Sequence, residues 1–280
     1  MSVDHYENFP VASWLCPPKL RPPIAAIYWF ARTGDDIADE GDLPTESRRA
    51  ELQAYRAELQ RVACGEPPAT RWAHIFGPLQ QAMQQHALPH ALLDDLLAAF
   101  LCDVANPAYA HREALLGYCR LSANPVGRLL LHLHHVDDVA ALAQSDAICS
   151  ALQLINFWQD LSVDLPRGRC YLPASDLARH GLQADRLQAG PAAQAMVREL
   201  CDWARALMLQ GAPLVHRLPG RAGWELRLVV QGGLRILEKI DAMRHQTLTQ
   251  RPKLRRTDAL PLLWRALRMP RPRPSLALPA

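Results

Sequence analysis

The sequence predicts an all-α, single-domain helical bundle, and three observations carry that expectation. Apolar residues recur at helical spacing through most of the chain, no alternation of polar and apolar residues is long enough for a useful strand, and Pro and Gly punctuate the helical runs. The chain has 280 residues, 49% of them hydrophobic and 21% charged, which is enough to bury a sizeable core and too apolar for disorder. It shows neither an internal repeat nor a Gly-rich nucleotide loop.

In chain order, His5 to Pro23 reads as a short helix ending at Pro17-Pro18, and Pro22-Pro23 opens the helix that carries Tyr28, Arg32, Asp35 and Asp39. Gly41 and Pro44 stop it. Thr45 to Cys64 is a charged outer helix with Leu52, Tyr55 and Leu59 on its apolar side. Trp72 to Gln85 and Leu88 to Ala105 follow, broken near Pro89 and closed at Asn106-Pro107. Asp94, Asp95 and Asp103 on the second of these read as exposed acids, because no polar stripe accompanies them.

Arg112 to Val136 contains Ser122-Ala-Asn-Pro-Val-Gly-Arg128, where a proline and a glycine give either a kink that opens a cavity or a plain break between two helices. In the first case Ser122, Ala123 and Gly127 let a ligand approach the backbone, and Arg128 supplies a cation beside it. His132, His134 and His135 do not read as a metal site, since only His132 and His135 share a helical face and no third ligand is spaced to join them. Ala192 to Leu209 and Arg221 to Gln246 are two further long helices. Gly232-Gly233 inside the latter costs about 1 kcal/mol per glycine against alanine, which points to close packing or cavity space. From Arg251 the chain mixes Pro, Arg and Leu. Residues 269–280 are expected to be a mobile tail after a domain spanning 1–268, and this basic, leucine-bearing end either grazes an anionic membrane or has no role.

Two stripes of polar residues stand out. Read as a helix, Leu152 to Asp164 places Gln153, Asn156, Asp160 and Asp164 within roughly 80° of arc, flanked by Leu152, Ile155, Trp158 and Leu161. Tyr28, Arg32, Asp35 and Asp39 fall within about 60° of one another inside another apolar run. Asp is a poor helix-interior residue, and a bare carboxylate in apolar surroundings costs several kcal/mol. No Lys or Arg lies three or four residues away on the Asp160 face, so a divalent cation is the economical counter-charge. Two such pairs facing each other would bind Mg²⁺ through oxygen and leave positions for phosphate and water. Asp pairs that merely decorate a solvated surface are the plainer alternative. Behind the second stripe, Arg167 and Arg169 either hold a diphosphate or form a solvated basic turn.

A net charge of +3 is too mild to imply a nucleic-acid partner, because duplex binding rests on a dense basic face, and local basic clusters matter more than the total. Seven cysteines without a Cys-x-x-Cys fit reduced thiols and a cytoplasmic location, and no secretion signal or run of ~18 apolar residues is present.

His5-Tyr-Glu-Asn-Phe9, Tyr28-x-x-x-Arg32-x-x-Asp35-Asp-Ile-Ala-Asp39-Glu40, Tyr118-Cys-Arg-Leu-Ser-Ala-Asn-Pro-Val-Gly127 and Gln153-x-x-Asn156-x-x-x-Asp160-x-x-x-Asp164 together resemble the squalene/phytoene synthase family, over about His5 to Leu267. The resemblance implies an isoprenoid-synthase bundle around a central apolar cavity, and a Mg²⁺-dependent lyase or transferase acting on a prenyl diphosphate. By that likeness Asp35, Asp39, Asp160 and Asp164 contact the metal ions, helped by Asn156 and Gln153. Arg32, Arg167 and Arg169 hold phosphate oxygens, while Tyr28, Tyr118 and Tyr171 border the reacting carbons. Phe9, Tyr28 or Trp158 offers an aromatic face to a cation, and Ser122 or Asn124 orients a water unless it only caps broken backbone. Ser122-Ala-Asn-Pro-Val-Gly127 and the missing tyrosine near Gly233 depart from carotenoid-forming relatives and favour a branch that captures the rearranged cation with water. Head-to-head condensation of two prenyl diphosphates is the alternative, and a non-catalytic helical assembly factor the more distant one. Peripheral membrane contact and hand-off to neighbouring enzymes of the same pathway are the partners this reading implies.

Overall fold

The computed structural model describes residues 16–39 and 43–270, and among these every regular element is helical. The leading motif with Phe9, Glu40, and the tail beyond Pro270 lie outside the described residues.

Helices α1 (Arg21–Asp39), α2 (Thr45–Ala63), α3 (Ala73–His86) and α4 (His90–Ala105) form one half of the bundle. Phe30 of α1, Tyr55 of α2 and Phe76 of α3 are fully buried in mutual ring contact, Phe30 stacked on Tyr55 with centroids 5.4 Å apart and Phe76 edge-on to Phe30. The Tyr55 hydroxyl donates to the Phe30 carbonyl at 3.2 Å, so the one polar atom of the cluster is satisfied. A Cβ on Gly34 would lie 2.7 Å from Phe100, so α1 and α4 touch closely beside Asp35. Asn106, with φ 44, takes the left-handed conformation that ends α4.

The other half is built on α5 (Arg112–Ser122), α6 (Asn124–Leu133), α7 (Val139–Gln159), the single turn α8 (Leu161–Asp164), α9 (Ala174–Arg179), α10 (Pro191–Gly211), α11 (Gly220–Ala242) and α12 (Ala259–Leu267). The suspected kink is a break: Ala123 separates α5 from α6. Gly127 serves helix packing rather than ligand approach, since a Cβ there would meet Ser145 Oγ at 2.4 Å and Cys149 Sγ at 2.5 Å on α7. Arg128 likewise faces no ligand. Its guanidinium forks onto Asp146 of α7 at 2.6 and 2.9 Å. Gly233 packs closely too, against Met208, Leu152 and Ile155.

From Ser145 to Leu161, α7 and its continuation are buried at every residue except Asp146, Gln153 and Asn156. A helix apolar on nearly all sides belongs in a core, and α7 is packed by α10, α6, α11 and α5. The buried side chains form two separate clusters, one on α1 to α4 and α6, the other around α7, α10 and α11. α12 was not expected from the sequence. It lies on α11, where buried Asp258 accepts from Arg235 at 2.8 Å, Lys239 at 2.9 Å and the Arg255 amide at 2.7 Å. No helix among the described residues is long and apolar enough to cross a membrane.

Candidate active site

The carboxylates gather where α1, α4 and α7 end. The second stripe is not one continuous helix, which corrects the angular reading. α7 stops at Gln159, Asp160 takes the C-cap with φ −101 and ψ 9, and the separate turn α8 carries Asp164. The chain then turns through Gly168, at φ 76, whose carbonyl accepts from the Asn106 side chain at 2.8 Å. That turn aims Arg169 back across the mouth. Its backbone N–H donates to the Asp164 carbonyl at 3.0 Å, while its guanidinium forks onto Asp39 at 2.7 and 2.9 Å. One arginine therefore joins the two acidic stripes.

The counter-charge that Asp160 lacks on its own helix face comes from a distant part of the chain. Arg251, arriving after α11, forks onto Asp160 at 2.5 and 2.8 Å. The segment bearing it is strapped down where Gln159 donates to the Pro252 carbonyl at 2.7 Å and the Ser162 amide to the Thr247 carbonyl at 3.0 Å. On α1, Arg32 pairs with Asp36 at 2.6 Å and Asp35 at 3.3 Å. Arg167 is exposed at the tip of the turn.

Asp103 belongs to this group, not to the exposed surface. Burial, with Asp39 and Asp35 close by, pushes its carboxyl up to about 7 against the opposing pull of the Tyr118 hydrogen bond and Arg169. The Tyr118 hydroxyl donates to it at 2.8 and 3.0 Å. Burial and then Asp160 raise Asp164 to about 6, although Arg169, Arg167 and Arg251 oppose the rise. Asp160 is raised as well, because its burial outweighs Arg251. Crowded acids held partly protonated by burial are a standing demand for positive charge. Asp94, by contrast, is consumed by Arg56 at 2.5 and 2.6 Å.

Below the acids lies an aromatic cluster. Tyr171 stacks on Phe157 at 3.8 Å with 9° between planes, and Tyr118 and Tyr109 lie 6.0 and 6.1 Å from Tyr171. Burial holds all three phenols above their ordinary range, so they stay neutral. Tyr28 is half-buried on α1, two turns or about 10 Å below Asp35, with its ring edge-on to Trp29 at 5.2 Å. Trp158 offers no open face, being fully buried with its ring 6.5 Å from Trp203 of α10.

Gln153 and Asn156 are half-buried, less enclosed than the residues around them on α7. Asn124 is buried and its Oδ1 accepts from Ser150 at 3.0 Å, roughly 15 Å along α7 from Asp160. At the same break, Ser122 Oγ is buried and has no hydrogen-bond partner among the described residues. His132 Nε2 lies 2.8 Å from the His86 carbonyl oxygen.

Sequence reasoning missed Asp103, Tyr109, Phe157 and Arg251. Asp103 had a signal: it continues the Leu96, Ala99, Phe100 face of α4, so a lone acid sits on a buried stripe. Arg251 had none, because its partner is 91 residues away.

Among the described residues no three His, Cys, Asp or Glu side chains cluster as a cage for one metal ion. The donor set nevertheless fits Mg²⁺, which takes one or two carboxylates and fills its remaining positions with water and substrate phosphate.

A sequence model of the squalene/phytoene synthase family matches residues 3–258. The hydroxysqualene synthase of Sinorhizobium fredii is 35% identical over 243 residues, covering 85% of this chain and 79% of that protein. The presqualene diphosphate synthase of Zymomonas mobilis is 28% identical over 268 residues, covering 94% and 88%. The crystal structure of squalene synthase HpnC from Alicyclobacillus acidocaldarius superposes with a TM-score of 0.79 at 36% identity, covering 86% of this chain and 90% of that one. Matched by the family model across nearly all its length, and 35% and 36% identical to the Sinorhizobium and Alicyclobacillus proteins, the chain belongs to the squalene/phytoene synthase family of prenyl-diphosphate-processing, divalent-metal-dependent enzymes.

Proposed function

We propose that this enzyme converts presqualene diphosphate and water into hydroxysqualene and diphosphate. The observation that carries the reading is the Asp39–Arg169–Asp164 junction, which turns two acidic stripes from distant helices onto one mouth. The names of the relatives supply the choice of substrate and product.

Asp35, Asp39, Asp160 and Asp164, with Asn156 and Gln153, would hold Mg²⁺. When bound, Mg²⁺ supplies the positive charge that neutralises a departing diphosphate. Arg32, Arg167 and Arg169 add guanidinium forks matched to phosphate oxygens. Arg169 and Arg251 pair with Asp39 and Asp160, and would be available to phosphate oxygens if those carboxylates held Mg²⁺ instead. Loss of diphosphate leaves a cyclopropylcarbinyl cation, which must rearrange before it is quenched. Tyr28, Tyr118, Tyr171 and Phe157 exclude water around it, and each aromatic face stabilises the cation by up to about 2 kcal/mol when desolvated. The prenyl tails lie in the seam between the two hydrophobic clusters, along the half-buried Gln153 and Asn156 side of α7. Ser122 lies one turn from Tyr118 on the same face of α5, about 6 Å deeper, and its unpartnered hydroxyl holds the capturing water better than Asn124, which Ser150 occupies. The water oxygen bonds to the carbon, and its proton leaves to solvent.

Seven free thiols support a cytoplasmic location. Incubation of the protein and Mg²⁺ with presqualene diphosphate or with farnesyl diphosphate, read by mass spectrometry, tests the assignment. Hydroxysqualene from presqualene diphosphate alone is the expected result. Product from farnesyl diphosphate alone would instead assign the head-to-head condensation.

A further inference from the structure

Helix α12 is amphipathic in the inverted sense. Its inward side carries half-buried Leu262, fully buried Ala266 and Arg265, which pairs with Glu238 at 2.5 Å, and the Ala266 carbonyl accepts from Arg227 at 3.2 Å. Leu260, Leu263, Trp264 and Leu267 fall within roughly 100° of arc on the opposite side and are 78%, 50%, 55% and 60% exposed. A folded chain does not ordinarily turn four large apolar side chains of one short helix to water. Trp224 of α11, also exposed, lies near the far end of the same helix. Arg227 stacks over its ring at 4.9 Å while holding the Ala266 carbonyl.

Charge identifies what covers this face. Eight of the 31 basic residues of the chain, but only one of its 28 acidic residues, fall between Arg251 and Ala280, so the rest of the molecule is net negative and its positive excess is concentrated here. The one acid, Asp258, is buried and neutralised by Arg235 and Lys239. Arg255 and Arg256 are exposed at the start of α12, and Arg268 closes it with its guanidinium 3.8 Å above the Trp264 ring. An apolar stripe edged by arginine, with tryptophan among its anchors, matches the boundary between lipid headgroups and acyl chains in an anionic bilayer.

We infer that α12 docks the enzyme in the plane of an anionic membrane surface, with Leu260, Leu263, Trp264 and Leu267 entering the acyl boundary and Arg255, Arg256 and Arg268 meeting lipid phosphates. Co-sedimentation of the full chain with vesicles tests this without reading turnover, so its outcome is independent of the catalytic assignment. The protein is expected to pellet with phosphatidylcholine vesicles that contain phosphatidylglycerol, to pellet poorly with phosphatidylcholine alone, and to be released by salt. Leu263→Ser with Trp264→Ser should weaken partitioning by roughly tenfold or more, with helix content by circular dichroism unchanged. Arg255→Gln, Arg256→Gln and Arg268→Gln together keep the apolar face and should abolish the preference for phosphatidylglycerol. The proposal fails if the wild-type chain stays in the supernatant with both vesicles, or if the serine variant pellets as the wild type does. It fails equally if the wild type is a concentration-dependent dimer that the serine variant dissolves, for then the face serves a second copy of the chain.

Discussion

At the scale of single residues, the site is a set of acids whose repulsion is only partly relieved by arginine. Arg169 ties Asp39 to the Asp164 turn, Arg32 pairs with Asp35, and Arg251 holds Asp160, so both stripes are already partly answered. Asp39→Asn should lower kcat/KM by about 10²-fold or more, as removal of a group that stabilises transition-state charge does elsewhere. Ser122→Ala has a different expected signature: diphosphate release continues within a few-fold, while mass spectrometry shows the alcohol giving way to hydrocarbon products. Unchanged product identity would return the water to another residue. Asp103 and Asp164, raised to about 7 and 6, must lose their protons when a cation takes the mouth. Mg²⁺ binding should therefore weaken between pH 7.5 and 5.5 and release protons, measurable by calorimetry in two buffers of different ionisation heat.

Between elements, the site is held by glycine contacts and buried ion pairs. Gly127→Val would drive a side chain into Ser145 and Cys149, separating α6 from α7, and should cost about 1 to 3 kcal/mol in denaturant unfolding. Arg112, at the start of α5, forks onto fully buried Asp176 of α9 at 2.6 and 3.0 Å and covers Trp203 of α10. Arg112→Met leaves that carboxylate with Arg179 alone and should cost on the order of 3 kcal/mol. Local periodicity made α1 to α4, α10 and α11 legible, and it singled out Asp35, Asp39, Asp160 and Asp164, which the fold brings to one end of the bundle. Features set by distant pairing were not legible. Asp160 and Arg251 meet only because α11 returns the chain to the mouth, and Asp103 is defined by Asp39, Tyr118 and Arg169 on other elements. α12 was hidden by its own composition, since Pro261 and the surrounding arginines read as a loop.

Across the whole molecule, two groups of acids set opposite pH responses. Asp94, Asp176, Asp258 and Glu238 are held below their ordinary values in the folded state, so their stabilisation is fully present above an unfolded value of about 4 and is lost as pH falls from there through their lower folded values. Asp103, Asp160 and Asp164 are held above theirs, so the folded chain binds more protons than the unfolded one from about pH 4 to 7, and stability declines as pH rises through that window. Without divalent ions, thermal stability should peak near about pH 4 to 5, and Mg²⁺ should raise the midpoint most at neutral pH, which a melting series with and without Mg²⁺ would read. The central claim is that two stripes from separate halves of the bundle make one diphosphate-binding mouth. Its most direct measurement is a double-mutant cycle on Mg²⁺-dependent binding of inorganic pyrophosphate, using Asp39→Asn, Asp164→Asn and both together. A single shared site predicts that each variant weakens binding about tenfold or more and that the pair is coupled by at least ~0.5 kcal/mol. Additive losses, or retention of full affinity by either variant, would mean that the stripes act apart and would contradict the account.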